Sequence, residues 1–509
     1  MLRFCTSILK SAGRGIMNDP EVRRVVGKYP RLAQFLKRRL TPDERFGLSL
    51  TLGFSSALLF ILLFFHIVDA LADQAVIAQT DVRILNLVQI FRSDWGNQVM
   101  LFVTYLGKGE TVTLAIVLLS ILLVLINRRH HILAFVVSAG GGELFVSLMK
   151  HLTHRNRPPI GSALYVESGY SFPSGHTFVA VAFYGLLTYF LMLRFRGKWK
   201  KFLIFWVGTV LILAIGYSRI YLGVHWFSDV IGSYALGLAW VSVVITAIEY
   251  RKKSRTAEEP PALVSRRVLV IVGTILFALW LAFIIVYFRM HPLPTPSAEI
   301  AEQMTVIPDD AVVDAIFSRY PRQSENLSGV PRQPIDLVIV GSEETLTKAL
   351  GDAGWLPMDT LSLSTIGKAT GAVMRNRAYP QEPGTPAFWN NRPNDLAFEQ
   401  PTSENTARKR YHIHVWSTSL VVPDGRNVWV ANTHFDEGIK LTSALIIPTH
   451  MIDPAVDKVR DKVRDELVQT GETVLAELFR NVDSMLGQNE VGDSFFTDGK
   501  ACLIFLKSS

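Results

Sequence analysis

Three short stretches decide how the chain reads: KHLTHRNRP (residues 150–158), PSGH (173–176) and SRIYLGVHWFSD (218–229). Each sits at the edge of a long apolar run, so its polar groups gather where a helix would leave a membrane. Together they supply three cations (Lys150, Arg157 and Arg219), two histidines (His176 and His225) and one carboxylate (Asp229). That set suits one task, holding an anionic phosphate at a membrane surface while a histidine attacks it.

Working outward, apolar runs long enough to cross a bilayer fall at about 48–72, 111–126, 131–152, 174–194, 202–219, 226–249 and 267–289. The third contains Ala139-Gly140-Gly141-Gly142, small residues that let helix backbones approach closely. Residues 73–107 carry apolar positions at helical spacing among Asp81, Arg83, Arg92 and Asp94, and read as an interfacial helical hairpin outside the membrane. The 509 residues have a formal charge of +8, yet 49% are hydrophobic. Lys and Arg fall between the spans rather than in one patch, which argues against a nucleic-acid partner and for a bilayer. Two cysteines at opposite ends, Cys5 and Cys502, exclude a disulfide framework or a cysteine metal site. The first residues lack the apolar core of a signal peptide, so the first span is expected to act as its own insertion signal.

The segments 1–45, 127–131, 194–201 and 251–267 are rich in Lys and Arg and alternate with the loops 73–110, 153–173 and 219–225. The positive-inside rule then places the N-terminus in the cytoplasm, and all three clusters and everything after residue 290 on the opposite side. The expected domains are a basic N-terminal segment (1–45), a six-span core (46–250), a cytoplasmic loop (251–266), a seventh span (267–289), a Pro-rich linker (290–309) and an extracytoplasmic domain (310–509). In that last domain IDLVIVG (335–341), YHIHVW (411–416) and NVWVANTHF (427–435) read as strands. Ser342 reads as a helix cap, and 456–482 as one long helix. The fold class is an all-α multi-pass membrane helical bundle followed by a soluble α+β domain.

Phosphoryl transfer passes through a state with charge spread over the equatorial oxygens, so its catalysis is mainly positioning and electrostatics. Lys150, Arg157 and Arg219 are cationic donors. Ser174 and Gly175 stand where the fourth span begins, and their backbone N–H groups would face an anion at a helix N-terminus. One histidine attacks phosphorus and the other protonates the leaving oxygen, then activates water. Asp229 follows His225 by one helical turn and can hold its ring N–H, which makes His225 the nucleophile and His176 the acid. No metal-ligand spacing occurs in this region, in keeping with a metal-independent route that needs no cofactor.

These residues resemble the signature of the membrane-bound type 2 phosphatidic acid phosphatase family, which also contains vanadium-dependent haloperoxidases. Lys150–Pro158, Pro173–His176 and Ser218–Asp229 match its three motifs position for position. The resemblance covers the six-span core and implies an extracytoplasmic site that hydrolyses lipid phosphates or pyrophosphates of the undecaprenyl pyrophosphate, phosphatidate or phosphatidylglycerol phosphate type, in a bacterial inner membrane. It gives Lys150, Arg157, Ser174, Gly175 and Arg219 to phosphate, His176 to acid catalysis, and His225 with Asp229 to the nucleophile. A lipid phosphotransferase using the same site, and a membrane-anchored binding module with an inactive core, are the alternatives. Haloperoxidase chemistry fits poorly with seven spans. Glu143, two helical turns before Lys150, is a carboxylate inside a span and reads as a residue of the cleft or a paired polar group.

Residues 330–480 resemble the LssY-type C-terminal domain, through GWLPMDTLSLST, TPAFWNNRPNDLAFEQ, YHIHVW, VWVANTHFDEGIK and PTHMIDPAVDKVRD. His412 and His414 alternate onto one strand face, and His434, Asp436, His450, Asp453 and Asp457 come from adjacent elements, a set suited to a metal or a second phosphate. Strand ends and helix caps account for the same residues.

Overall fold

A computed structural model describes residues 28–40, 47–73, 75–254, 261–294, 303–359, 362, 364–365, 367–368, 371, 379, 381–402, 409–441, 448–489 and 492–508. Most of the basic N-terminal segment and the centre of the Pro-rich linker therefore lie outside the described residues. The chain divides into two compact units, one of Met1–Asp73 with Ser93–Ser297 and the other of Gln74–Arg92 with Ala298–Ser509.

Among its described residues the first unit forms helices and no strand. A short helix α1 (Pro30–Leu40) precedes α2 (Leu48–Ala72). After α3 (Ala75–Ile90), which belongs to the other unit, come α4 (Asp94–Leu106), α5 (Gly109–Leu125), α6 (His130–Thr153), α7 (Gly175–Arg194), α8 (Lys198–Tyr221), α9 (Phe227–Ser254) and α10 (Arg266–Met290). Six of these helices, α2 and α6 to α10, are long and apolar enough to cross a membrane. At a rise of about 1.5 Å per residue each reaches about 30 Å or more, the thickness of the hydrocarbon layer. The pair α4 and α5 is bent by 50° and makes a seventh crossing if the two count as one. The expected second span is thus the second limb of a bent pair, and Gly107-Lys108 is its elbow.

Apolar surface facing lipid needs no cover, so the exposed fraction locates the centre of the bundle. Half of the most apolar window of α7 is buried and 44% of that of α9, against 11% for α2 and 6% for α10. Phe178, Ala180, Val181 and Ala182 on α7 meet Phe135, Val146, Ala235 and Val241 of the surrounding helices. Polar bonds lock the same centre, since Ser138 donates to Ala182 O and Trp240 donates to Ser138 O. Both α6 and α7 carry a one-turn π-bulge, at Val137–Gly141 and Val181–Gly185. Gly142 lies at the α6–α7 contact, where a Cβ would strike the Phe178 ring, whereas a Cβ on Gly140 would meet nothing within 4 Å among the described residues.

The second unit is built on a mixed sheet. Its main path runs Thr473–Arg480, Lys500–Leu506, Leu337–Gly341, Asn427–Leu441, Arg410–Val421, Leu396–Pro401 and Leu356–Pro357. Leu337–Gly341 is buried along its whole length because both sheet faces are covered. Leu337 and Ile339 face helices Glu343–Asp352 and Asp457–Gln469 through Leu346, Leu350, Val459 and Val463. Val338 and Val340 face the opposite core, with Val312, Ile316, Trp389 and Trp416. Ser342 caps its helix by accepting from Thr345 N at 3.1 Å. The single helix expected over 456–482 ends at Gln469; Gly471, at φ +75°, turns the chain, and β-prone TVLAELFR continues as the edge strand.

Residues 73–107 do not form one hairpin. Helix α3 packs within the second unit, where Arg83 Nε and Nη2 grip both oxygens of Glu325 at 3.0 and 2.6 Å and Asn86 donates to Asn391 O at 2.8 Å. Leu85 and Val88 are buried on the same helix, whereas α4 belongs to the bundle.

Two outcomes are expected. Gly142→Ala forces α6 from α7 and should cost about 1–3 kcal/mol of stability, read as a lowered thermal midpoint in detergent, with Gly140→Ala unchanged. Asp336 is the second case. Burial pushes its carboxyl from 3.8 up to about 8, against the opposing bonds from Thr433 N and Oγ1. The folded state therefore holds a proton that the unfolded chain releases, and the stability this contributes is complete below about pH 4 and lost as pH rises towards 8. Thermal melts across pH should show that decline in the second unit, and Asp336→Asn should flatten it.

Candidate active site

The three clusters converge in the first unit. The end of α6 brings Lys150; the loop 154–173 brings Arg157; the start of α7 brings Ser174, Gly175 and His176; the end of α8 brings Arg219; and the turn into α9 brings His225 and Asp229.

His225 lies just before α9 and Asp229 in its first turn, the spacing that sets their side chains together. His225 Nδ1 is 3.3 Å from Asp229 Oδ2, and Nε2 is 3.1 Å from Arg157 Nη1. A guanidinium only donates, so Nε2 is the acceptor and Nδ1 carries the proton towards Asp229. Burial pushes His225 down to about 4, with Asp229 opposing the shift, so the imidazole is neutral at pH 7. Asp229 is itself held on three sides: Oδ2 also accepts from Trp226 N at 2.9 Å, and Oδ1 accepts from Arg155 Nη1 at 2.6 Å.

Arg219 has no exposed surface, and a buried guanidinium requires partners. It finds Thr104 Oγ1 of α4 at 2.7 Å, Tyr165 OH at 2.5 Å and the Glu167 carboxylate, leaving Nε without a hydrogen-bond partner among the described residues. Arg157 Nε and Nη2 hold Gly169 O and Ser168 O at 2.9 and 3.2 Å, and Nη1 reaches Val224 O and Glu167. Burial raises a carboxyl's pKa, yet Arg219, the two histidines and Arg157 outweigh it and hold Glu167 well below the ordinary carboxylate range. Ser174 is buried at the N-cap of α7, where its Oγ accepts from Thr177 and keeps its own proton to donate. The Glu143 carboxylate lies just under 4 Å from where a Cβ on Gly175 would stand.

Sequence alone does not single out Arg155, Thr104, Tyr165 or Glu167. Arg155 holds the far side of Asp229 and stacks over Trp226. One signal for Glu167 was present: it is the only acidic residue between Glu143 and Asp229.

In the second unit the expected set separates. His434 pairs across the sheet with His412, their rings stacked at 5.2 Å, and His414 completes a stack of three. Asp436 lies 2.7 Å from His412 Nε2 and 3.7 Å from His434 Nε2. Asp453 instead accepts from Ala455 N in a turn, and the His450 side chain lies outside the described residues. Among the described residues, no three His, Cys, Asp or Glu side chains are arranged to hold a metal ion.

The PAP2 superfamily matches over residues 131–253 and the LssY C-terminus over residues 317–501. Phosphatidylglycerophosphatase B of Bacillus subtilis is 32% identical over 180 residues, 35% of this chain and 88% of that protein. The undecaprenyl-diphosphatase of Sulfolobus acidocaldarius is 28% identical over 177 residues, 33% of this chain and 78% of that protein. Among solved structures, the transmembrane PAP2-type phosphatidylglycerolphosphate phosphatase of Bacillus subtilis aligns with 29% identity and a TM-score of 0.36, covering 40% of this chain and 99% of that one. With the three clusters gathered around His225, the chain belongs to the PAP2 superfamily of membrane lipid phosphatases and carries an LssY C-terminal domain.

Proposed function

We propose that the protein hydrolyses lipid phosphate or diphosphate through a phospho-histidine on the extracytoplasmic face of a bacterial cytoplasmic membrane. The observation that carries this reading is the orientation of His225, with Nδ1–H towards Asp229 and the lone pair of Nε2 towards Arg157. Arg157, Arg219, Lys150, the Ser174 hydroxyl and the Gly175 N–H hold the phosphoryl oxygens, the Ser174 N–H being taken by Asp229 O at 3.4 Å. Among the described residues the Lys150 carbonyl accepts from His154 N at 3.1 Å, while its ammonium has no hydrogen-bond partner and is open to an anion.

Nε2 attacks phosphorus as the bond to the leaving oxygen breaks, and His176 donates its proton to that oxygen. Water then gives a proton to His176 and attacks phosphorus, the P–N bond breaks, and phosphate leaves with His225 restored. Asp229, fixed by Arg155, keeps the Nδ1 proton in place and stabilises the positive charge that the ring acquires. Every step uses groups of the chain and water, so the route runs without a metal.

The membrane orientation rests on two supports. Basic residues concentrate at Arg128-Arg129, Arg194–Lys201 and Arg251–Lys253, on the side away from the clusters. With the bent pair counted as one crossing, one span precedes the segment after α2 and seven precede the segment after α10, and both counts are odd.

His225→Ala should abolish phosphate release, a loss of roughly 10⁴-fold or more, with no phosphoenzyme after acid quench. His176→Ala should slow turnover by about 10²–10⁴-fold and let phosphoenzyme accumulate with a good leaving group. Turnover by His225→Ala at the wild-type rate would overturn the mechanism. In a background lacking Cys5 and Cys502, an impermeant maleimide applied to intact cells should label Val166→Cys and Met304→Cys and spare Arg196→Cys. Labelling of Arg196→Cys alone would reverse the orientation.

A further inference from the structure

Glu167 stands where a phosphate would. Its Oε2 meets Arg219 and lies 3.3 Å from Arg157 Nη1, the two guanidinium groups given above to phosphate. Lys150 is close enough for its charge to act on it, and the same Arg157 Nη1 lies 3.1 Å from His225 Nε2. Its side chain is 25% exposed against 11% for Arg157 and none for Arg219, so of the three it stands nearest to solvent. The loop that carries it is fastened by Arg157 itself, through Ser168 O and Gly169 O, and Gly169 takes a φ of +79° that suits the tight turn beneath the carboxylate. A carboxylate and a phosphoryl group offer guanidinium the same pair of acceptor oxygens. An anion of the chain thus fills a site built for an anion of the substrate.

We propose that Glu167 is a specificity-determining residue: its carboxylate occupies the arginine cradle at rest, yields to a phosphomonoester or diphosphate, and excludes singly charged phosphodiester headgroups. This rests on the assignment of the cradle to phosphate.

The selection follows from charge and tethering. A phosphodiester brings one negative charge, no more than Glu167 already supplies, and must compete with a group tethered at an effective concentration of about millimolar or higher. A phosphomonoester brings up to two charges. It gains more from Lys150, Arg157 and Arg219 than the carboxylate does, and it repels the carboxylate as it enters. Such selection matters at a bilayer surface, where phosphodiester headgroups surround the entrance in great excess over any phosphomonoester.

The test uses the full chain in mixed micelles, with a short-chain phosphatidate as substrate and either phosphatidylglycerol or inorganic phosphate as competitor. For wild type, phosphatidylglycerol should inhibit weakly. Glu167→Gln keeps the shape and removes the charge, so inhibition constants for both competitors should fall by about tenfold or more, and the fall should be larger for phosphatidylglycerol. Glu167→Asp should restore part of the discrimination. Phosphatidylglycerol inhibition unchanged in Glu167→Gln would overturn the proposal, as would a variant that loses turnover while its competitor affinities stay at wild-type values. Phosphate binding by isothermal titration in His225→Ala, with and without Glu167→Gln, reads the same effect without turnover. Should His225→Ala alone remain active, the catalytic assignment fails, whereas an inactive His225→Ala with unaltered competitor binding in Glu167→Gln removes only the role of Glu167.

Discussion

Arg219 carries a permanent charge at a point with no access to solvent, and the arrangement of the site follows from satisfying it. An unpaired guanidinium in such a place is too costly to keep, so acceptors have to be brought from several elements. Thr104 comes from α4, Tyr165 and Glu167 from the loop between α6 and α7, and Arg219 itself from the last turn of α8. That one side chain ties the bent helix pair and the loop to the centre of the bundle. The second buried pair, His225 with Asp229, is organised alike: Arg155 donates to one oxygen of the carboxylate, and Trp226 N and His225 share the other.

In the proposed mechanism the groups that hold are distinct from the groups that react. The arginines, Ser174 and the start of α7 would surround the phosphate, while the two histidines approach from the ends of different helices. Neutral His225 at pH 7 is what a nucleophile requires, and the cause is burial working against a carboxylate neighbour. Membrane helices make this economical, since a rigid apolar scaffold keeps water out and leaves each polar contact strong.

How much of this is legible in the amino-acid sequence depends on distance along the chain. The spans follow from apolar runs, and His225 with Asp229 follows from a four-residue spacing that any helix start would realise. The PSGH turn and the cap at Ser342 are local too. What escapes a linear reading is contact between remote segments. Glu167 is 52 residues from Arg219 and Arg155 is 74 from Asp229, so nothing in their neighbourhood marks them as partners. Helix α3 is misread for the same reason. Its apolar spacing shows an amphipathic helix, but the partner of that face lies in another domain. The stretch 456–482 fails differently: helix-forming VRDKVRDELVQ masks the change of preference at Thr470-Gly471, which only the positive φ of Gly471 makes plain.

The capture of α3 by the C-terminal unit has a consequence for how the protein is made. Arg83 leaves the ribosome 242 residues before Glu325. At about 5–20 residues per second, that helix waits roughly 12–50 s for the carboxylate that neutralises it. In that interval the spans from α4 onward enter the bilayer while Leu85 and Val88 have no core to join. The last two hundred residues therefore complete a structure begun near the start of the chain. A ribosome that stalls before them leaves an inserted bundle with a charged, half-apolar helix exposed, the kind of surface by which chaperones and proteases recognise an unfinished protein.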